Sequence, residues 1–283
     1  MNSSTISSSD YDFVRDLVRR SSAIVLEGDK QYLVESRLFA VMQREGIASI
    51  DQLVQQVRQR PHGQLERKVI EAMTTNETSF FRDVHPFEAL KKAVLPALIE
   101  QRAGARRLDL WCAASSTGQE PYSIAMLLCD AFPALSQGWT VNFIATDLNA
   151  EVLERARSGR FSQLEINRGL PAPYMVKFFR REGTDWVLKD EVRSRVTFRQ
   201  LNLARPWTEL PRMDVVFIRN VLIYFDQETK RDILARIRQL LRPDGYLFVG
   251  GSESTIHIDT AYTPETHGRS VYFRVRGDGA RTD

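Results

Sequence analysis

At residue 108 the chain changes its grammar, and this change constrains the fold more than any other feature. From there, short apolar runs at 108–111, 141–146, 214–218, 246–250 and 270–275 alternate with helical stretches at 121–132, 151–158 and 228–241. Strands alternating with helices pack as a parallel or mixed sheet covered on both faces. Such a doubly wound sheet holds its ligands at the carboxyl ends of its strands. The alternation is interrupted between 158 and 203. There Pro171 and Pro173 mark a turn, and short strand candidates stand at 186–189 and 196–198. This region reads as an antiparallel β subdomain, inserted at about 159–200 on the edge of the sheet.

Upstream the pattern is helical. Tyr11, Phe13, Val14, Leu17 and Val18 recur at helical spacing, and Asp10 is placed to cap them. Further helices are predicted at 31–45, ended by Gly46, at 50–59, stopped by Pro61, and from 64 to 73. Residues 1–73 therefore read as a small all-helical domain, with 1–9 as a disordered tail. Residues 74–90 form a linker that contributes side chains to a site, with a helix predicted from 85 to 102. Residues 91–283 form the α/β domain. The sequence has 43% hydrophobic residues and a net charge of only +3, which disfavours a highly basic nucleic-acid binder. No apolar run reaches the roughly 20 residues that span a bilayer. Two cysteines, Cys112 and Cys129, cannot make a disulfide framework and fit a reducing cytoplasm. His62, His85, His257 and His267 show no metal-ligand spacing, so no metal is expected.

Four motifs carry chemistry. In LDLWCAASSTGQEPYS, starting at Leu108, a strand feeds a loop of small residues and then a helix with Pro121 in its first turn. The loop has one glycine of the three that a dinucleotide fingerprint needs. Glu120 at the helix start would repel a phosphate, whereas it would attract the α-ammonium of S-adenosylmethionine. It would equally stabilise its own helix start. Asp147 ends the second strand, where an acid accepts hydrogen bonds from ribose hydroxyls or caps the next helix. Asn202 follows a strand and suits either an adenine edge or a turn. Arg219 and Asn220 end another strand; Tyr224 and Phe225 after them read as site or core. In NETSFFRD, Asn76, Thr78, Phe80, Phe81 and Arg82 fall in one stretch. Its aromatic rings either flank a sulfonium or are buried.

With these pieces in this order (NETSFFRD, AASSTGQEPYS, TDLN, FIRNVLIYFD, LRPDGYLFVG), the chain resembles the CheR family of chemotaxis receptor methyltransferases. The resemblance runs from about Tyr11 to Arg274. It implies a Rossmann-like methyltransferase sheet and S-adenosylmethionine as cofactor, leaving S-adenosylhomocysteine. The implied reaction is esterification of glutamate side chains on the cytoplasmic domain of chemoreceptors. By the family's pattern Asn76, Thr78, Arg82, Glu120, Asp147, Asn202, Leu203, Arg219 and Asn220 bind the cofactor, and Arg82 and Tyr224 lie beside the transferred methyl. The helical domain and the insert look like receptor-facing parts, the insert with a tethering peptide. A cytoplasmic monomer without nucleic-acid partner is implied. The family's loop commonly has glycine and glutamate where this chain has Ala114 and Gln119.

The chemistry asks for little else. A glutamate with a reference pKa near ~4.3 is ionised at neutral pH and needs no general base. Lys30, Arg37, Arg44, Arg58 and Arg60 offer a basic surface to an acidic receptor helix, or form an ordinary solvated face.

Overall fold

The computed structural model describes residues 5–26 and 30–276, which fall into two units. The first takes in the chain up to Thr75 with Asn202–Pro206 and Tyr224–Thr229. It holds four helices: α1 (Ser8–Ser22), α2 (Gln31–Glu45), α3 (Ile50–Gln59) and α4 (Gln64–Ala72). Val14, Val18, Val34, Leu38, Leu53, Val54 and Val69 recur at helical spacing and form its core. The helix start differs from the sequence expectation. Ser7, not Asp10, is the N-cap, its hydroxyl accepting from Asp10 N at 3.1 Å. Ile6 is buried and donates its N–H to Glu35. The predicted tail is therefore corrected at residues 5–9, and its residues 1–4 lie outside the described residues. Two residues of the predicted basic surface have partners within this unit. Arg37 donates to Met73 O and Thr75 Oγ1, and Arg58 pairs with Asp10 at 2.9 Å.

The second unit carries the sheet. Its strands are β1 (Arg107–Ala113), β2 (Thr140–Asp147), β6 (Thr197–Gln200), β7 (Met213–Ile218), β8 (Leu241–Val249), β9 (Tyr262–His267) and β10 (Ser270–Val275), in the order β6-β2-β1-β7-β8-β10-β9. The first five are parallel; β10 runs antiparallel between β8 and β9. The chain works outward from β1 to β6, then returns to β7 beside β1. That reversal opens a crevice at the carboxyl ends of β1 and β7. The inner strands are mostly apolar because both faces are covered, with Asp109 and Asp214 as buried exceptions near their amino ends, and β7 is buried throughout. Helix α7 (Gln119–Ala131) follows β1 and is buried from Gln119 to Leu128; α8 (Ala150–Ser158) follows β2 and α12 (Gln227–Leu240) precedes β8.

The insert is a separate antiparallel sheet, β3-β5-β4, from Arg160–Phe161, Asp185–Leu188 and Phe179–Glu182. Short helices α9 (Gln163–Asn167) and α10 (Ala172–Phe178) join its strands, and α11 (Asp190–Arg193) follows. Three expectations change. The predicted strand at 196–198 belongs to the main sheet, because β6 pairs with β2. The helix from residue 85 is α5 (His85–Ala89), a π turn at Leu90–Val94 and α6 (Leu95–Gln101). Pro96 has no N–H for the α ladder, and Leu95 N reaches back to Leu90 O. The strand predicted at 246–250 begins already at Leu241, so β8 takes in residues 243–245 and is irregular opposite Met213 and Val215. No helix of the described residues is long and apolar enough to cross a membrane.

Candidate functional site

Sheet register brings the candidates of the second unit to one edge. Ala113, the last residue of β1, pairs with Thr146 on β2 and Ile218 on β7. The next residues, Ala114, Asp147 and Arg219, therefore stand side by side at the carboxyl ends of these strands. The loop after β1 is held in an unusual conformation, with Ala114 at φ 55°, Ser116 at φ 50° and Gly118 at φ 95°. Left-handed residues other than glycine cost roughly 1–2 kcal/mol each and gather at functional sites. At Gly118 a Cβ would stand 3.0 Å from the Tyr122 ring and 3.1 Å from Ala156 Cβ, so only glycine lets α7 start this close to α8.

Asp147 turns its carboxylate toward this loop. Its Oδ2 accepts from Ser116 N at 2.8 Å and its Oδ1 from Asn149 N at 3.0 Å. It is not the helix cap; Asn149 caps α8. Ser116 Oγ in turn donates to Asn76 O at 2.7 Å, and Phe81 N donates to Ser123 Oγ on α7 at 2.9 Å. The segment 76–83 thus lies against both the loop and α7. Its aromatics do not face a cation. Phe80 packs edge-on against Phe161 and Phe179, and Phe81 stacks on Tyr174, all within the core. Thr78 and Arg82 are half-buried. Arg82 itself donates to Glu77 O at 3.3 Å.

Glu120 and Arg219 form the charged centre. Arg219 is 1% exposed and donates to Glu120 Oε2 at 2.6 Å. Its other terminal nitrogen donates to Asp83 Oδ2 at 2.6 Å and Arg82 O at 3.1 Å. Burial pushes the Glu120 carboxyl above its usual range, and Arg219 opposes that shift. Burial also pushes the thiol of neighbouring Cys112 well up, which makes it inert core. Two buried polar atoms here have no hydrogen-bond partner, Ser115 Oγ and Arg219 Nε. Buried polar groups are nearly always satisfied, so these orphans fit a ligand rich in hydroxyl and carboxylate oxygens. An acid at the helix start and an acid after β2 fit the ammonium and the ribose of S-adenosylmethionine.

Two participants escaped the sequence reading. Asp83 stood beside Arg82 in the motif as a visible signal. Glu253 had only its place after a strand. Its carboxylate accepts from Asn220 N and Gly250 N, both at 2.7 Å, and from Ile223 N at 3.3 Å. It thereby fixes Asn220 at φ 57°. Asn202, Leu203 and Tyr224 fall in the helical unit. There Asn202 bonds Ser21 O and Ala204 N, serving a turn; Leu203 is buried; and Tyr224 O accepts from Val25 N. Phe225 is buried.

Residues 9–74 match the all-alpha domain of the CheR methyltransferases, and residues 76–269 match their SAM-binding domain. The chain is 43% identical over 271 residues to chemotaxis protein methyltransferase 1 of Pseudomonas aeruginosa, covering 94% of this chain and 98% of that protein. It is 43% identical over 249 residues to chemotaxis protein methyltransferase Cher2 of Pseudomonas putida, covering 87% and 90%. Among solved structures, the glycopeptide N-methyltransferase MtfA with S-adenosyl-L-homocysteine is similar at a TM-score of 0.35 and 15% identity, over 72% of this chain and 62% of that one.

Proposed function

The chain belongs to the CheR methyltransferase family, and from that premise we propose that it esterifies glutamate side chains on the cytoplasmic domain of chemoreceptors. It is a methyltransferase with a SAM-binding domain. When bound, S-adenosylmethionine supplies a methyl group on a cationic sulfur, a leaving group that needs no further activation. The chain's own residues bind and orient. Asp147, its carboxylate pinned by two backbone N–H groups, takes the ribose hydroxyls. Glu120 takes the ammonium, and Arg219, bonded to Glu120 at 2.6 Å, opposes the upward push of burial on its carboxyl. Asn76, Thr78, Arg82 and Asn220 complete the pocket. Asn202, Leu203 and Tyr224 enter by the family's motif alone.

The receptor glutamate arrives ionised, so its attack requires placement and loss of water rather than a base. Orientation alone recovers roughly 7–11 kcal/mol of such a barrier. A carboxylate stripped of water needs a cation or hydrogen-bond donors, and Arg82 and Tyr224 fill that role. The helical unit and the β insert meet the receptor, the insert through a tethering peptide at the receptor's tail. The enzyme works as a cytoplasmic monomer recruited to membrane receptors. The observation that carries this reading is the buried Glu120–Arg219 pair at the start of α7. It favours an amino-acid group there over a phosphate. Incubation with receptor cytoplasmic fragments and methyl-labelled cofactor is expected to give protein-bound label that mild base removes. Base-stable label, or none with the cofactor bound, contradicts the proposal.

A further inference from the structure

The geometry points to Asp83 as a positioning residue that acts through Arg219 on Arg82 and Glu120, an assignment that rests on the cofactor site proposed above. Arg219 is a single guanidinium with two loads. One nitrogen serves Glu120, on the helix that follows β1. The other serves Asp83 and the backbone carbonyl of Arg82, on the segment that reaches the site from outside the sheet. The position of the Arg82 backbone and the position of the Glu120 carboxylate are therefore set by one group.

Asp83 decides how well that group is held. The segment around it is strained: Phe81, Asp83 and Val84 have φ of 47°, 68° and 50°. Val84 is β-branched and exposed, the residue type least suited to this region. Left to itself the segment would relax toward ordinary dihedrals and carry Arg82 with it. Phe81 anchors one end in the aromatic core and by its N–H to Ser123. Between Phe81 and Phe87, which is again buried and packs on Phe217, the described tertiary hold on residues 82–84 is the pair of bonds to Arg219. The Asp83 carboxylate is the charged half of that hold, with its side chain still 49% exposed. It contributes little to the core and much to the placement of its neighbour.

Asparagine also tolerates left-handed backbone, so Asp83→Asn removes the charge and keeps the local conformation. Calorimetric titration with S-adenosylhomocysteine reads this without reference to any methyl acceptor. Asp83→Asn is expected to weaken binding roughly three- to ten-fold, as for a partly exposed charge-assisted bond, with a nearly unchanged melting temperature. In a double-mutant cycle the penalty of Arg82→Ala is expected to shrink at least about two-fold in the Asp83→Asn background. Asp83→Gly, which suits the same backbone, is expected to show the same loss should the asparagine variant melt low. The assignment is overturned by wild-type affinity in Asp83→Asn, by fully multiplicative penalties, or by Arg82→Ala binding like wild type. Failure of the methyl-ester proposal would show only in the transfer assay and leave this titration as it stands.

Discussion

Ala114 shows how a single residue can carry strain for a site. It sits at φ 55° in the loop after β1. An alanine there costs more in the folded state than it saves by restricting the unfolded chain. Ala114→Gly is expected to raise stability by about 1 kcal/mol, read as a higher urea midpoint at unchanged slope; a lower midpoint would mean the loop depends on alanine's stiffness. Residues of this edge were legible in part. Glu120 and Asp147 could be singled out because each follows a strand, and strand ends converge. Asp83, though visible at the end of its motif, and Glu253 could not be given roles, because their carboxylates serve groups that only the fold brings near, Arg219 in one case and three backbone N–H groups in the other. The aromatic pair of NETSFFRD stayed open between two readings for a related reason: whether Phe80 faces a ligand or a core depends on the distant Phe161 and Phe179, and the buried reading is the one the fold bears out.

At the scale of elements, the insert and the segment before α5 are built together. Gly169, at φ 91° after α9, lies so close to that segment that a Cβ would stand 2.1 Å from Phe80 O. Arg168 beside it pairs with Glu77 at 2.6 Å. Gly169→Ala combines a forbidden dihedral with a backbone collision, and is expected to destabilise by about 2–4 kcal/mol. Chemical denaturation of the two proteins checks this, and an unchanged midpoint would show that the contact yields at no cost. The inner strands and the amphipathic helices were readable because burial on two faces or one leaves a period in the sequence. The edges were not. Strand β9, with Pro264, Glu265 and His267, has no such period and pairs only because β10 offers an edge. Strand β6 looked like part of the insert because only eight residues separate it from β5, and pairing to β2 is a long-range fact.

Across the sheet unit as a whole, the edge opposite the site is held by charge. Asp109 and Asp214, near the amino ends of β1 and β7, are fully buried. Arg102 bonds Asp214 at 2.9 Å and grips Asp244 at 2.7 and 2.6 Å; Arg107 grips Asp109, and Arg242 reaches both Asp109 and Asp214. Arg102 holds the Asp244 carboxyl below its usual range. At Asp109 burial pushes upward, but hydrogen bonds from Arg107, Asn142 and Arg242 outweigh it and leave the carboxyl lowered. A lowered folded value means stabilisation that is complete above the unfolded value of about 3.9 and is lost as pH falls through the folded one. Arg102→Gln is therefore expected to cost about 3 kcal/mol at neutral pH, and the difference from wild type is expected to narrow below about pH 4. Melting curves across that range check it; a penalty independent of pH would place the role of Arg102 in packing.

The central claim is the identity of the acceptor, and the chemistry of the methylated product tests it most directly. Receptor cytoplasmic fragments incubated with the enzyme and S-adenosylmethionine should be digested and mapped by mass spectrometry before and after mild alkali. The account predicts methyl groups on glutamate side chains alone, removed by the alkali, and absent when Arg82→Ala replaces the wild type. Methylation on nitrogen, or unmethylated receptor alongside normal cofactor binding, would contradict it.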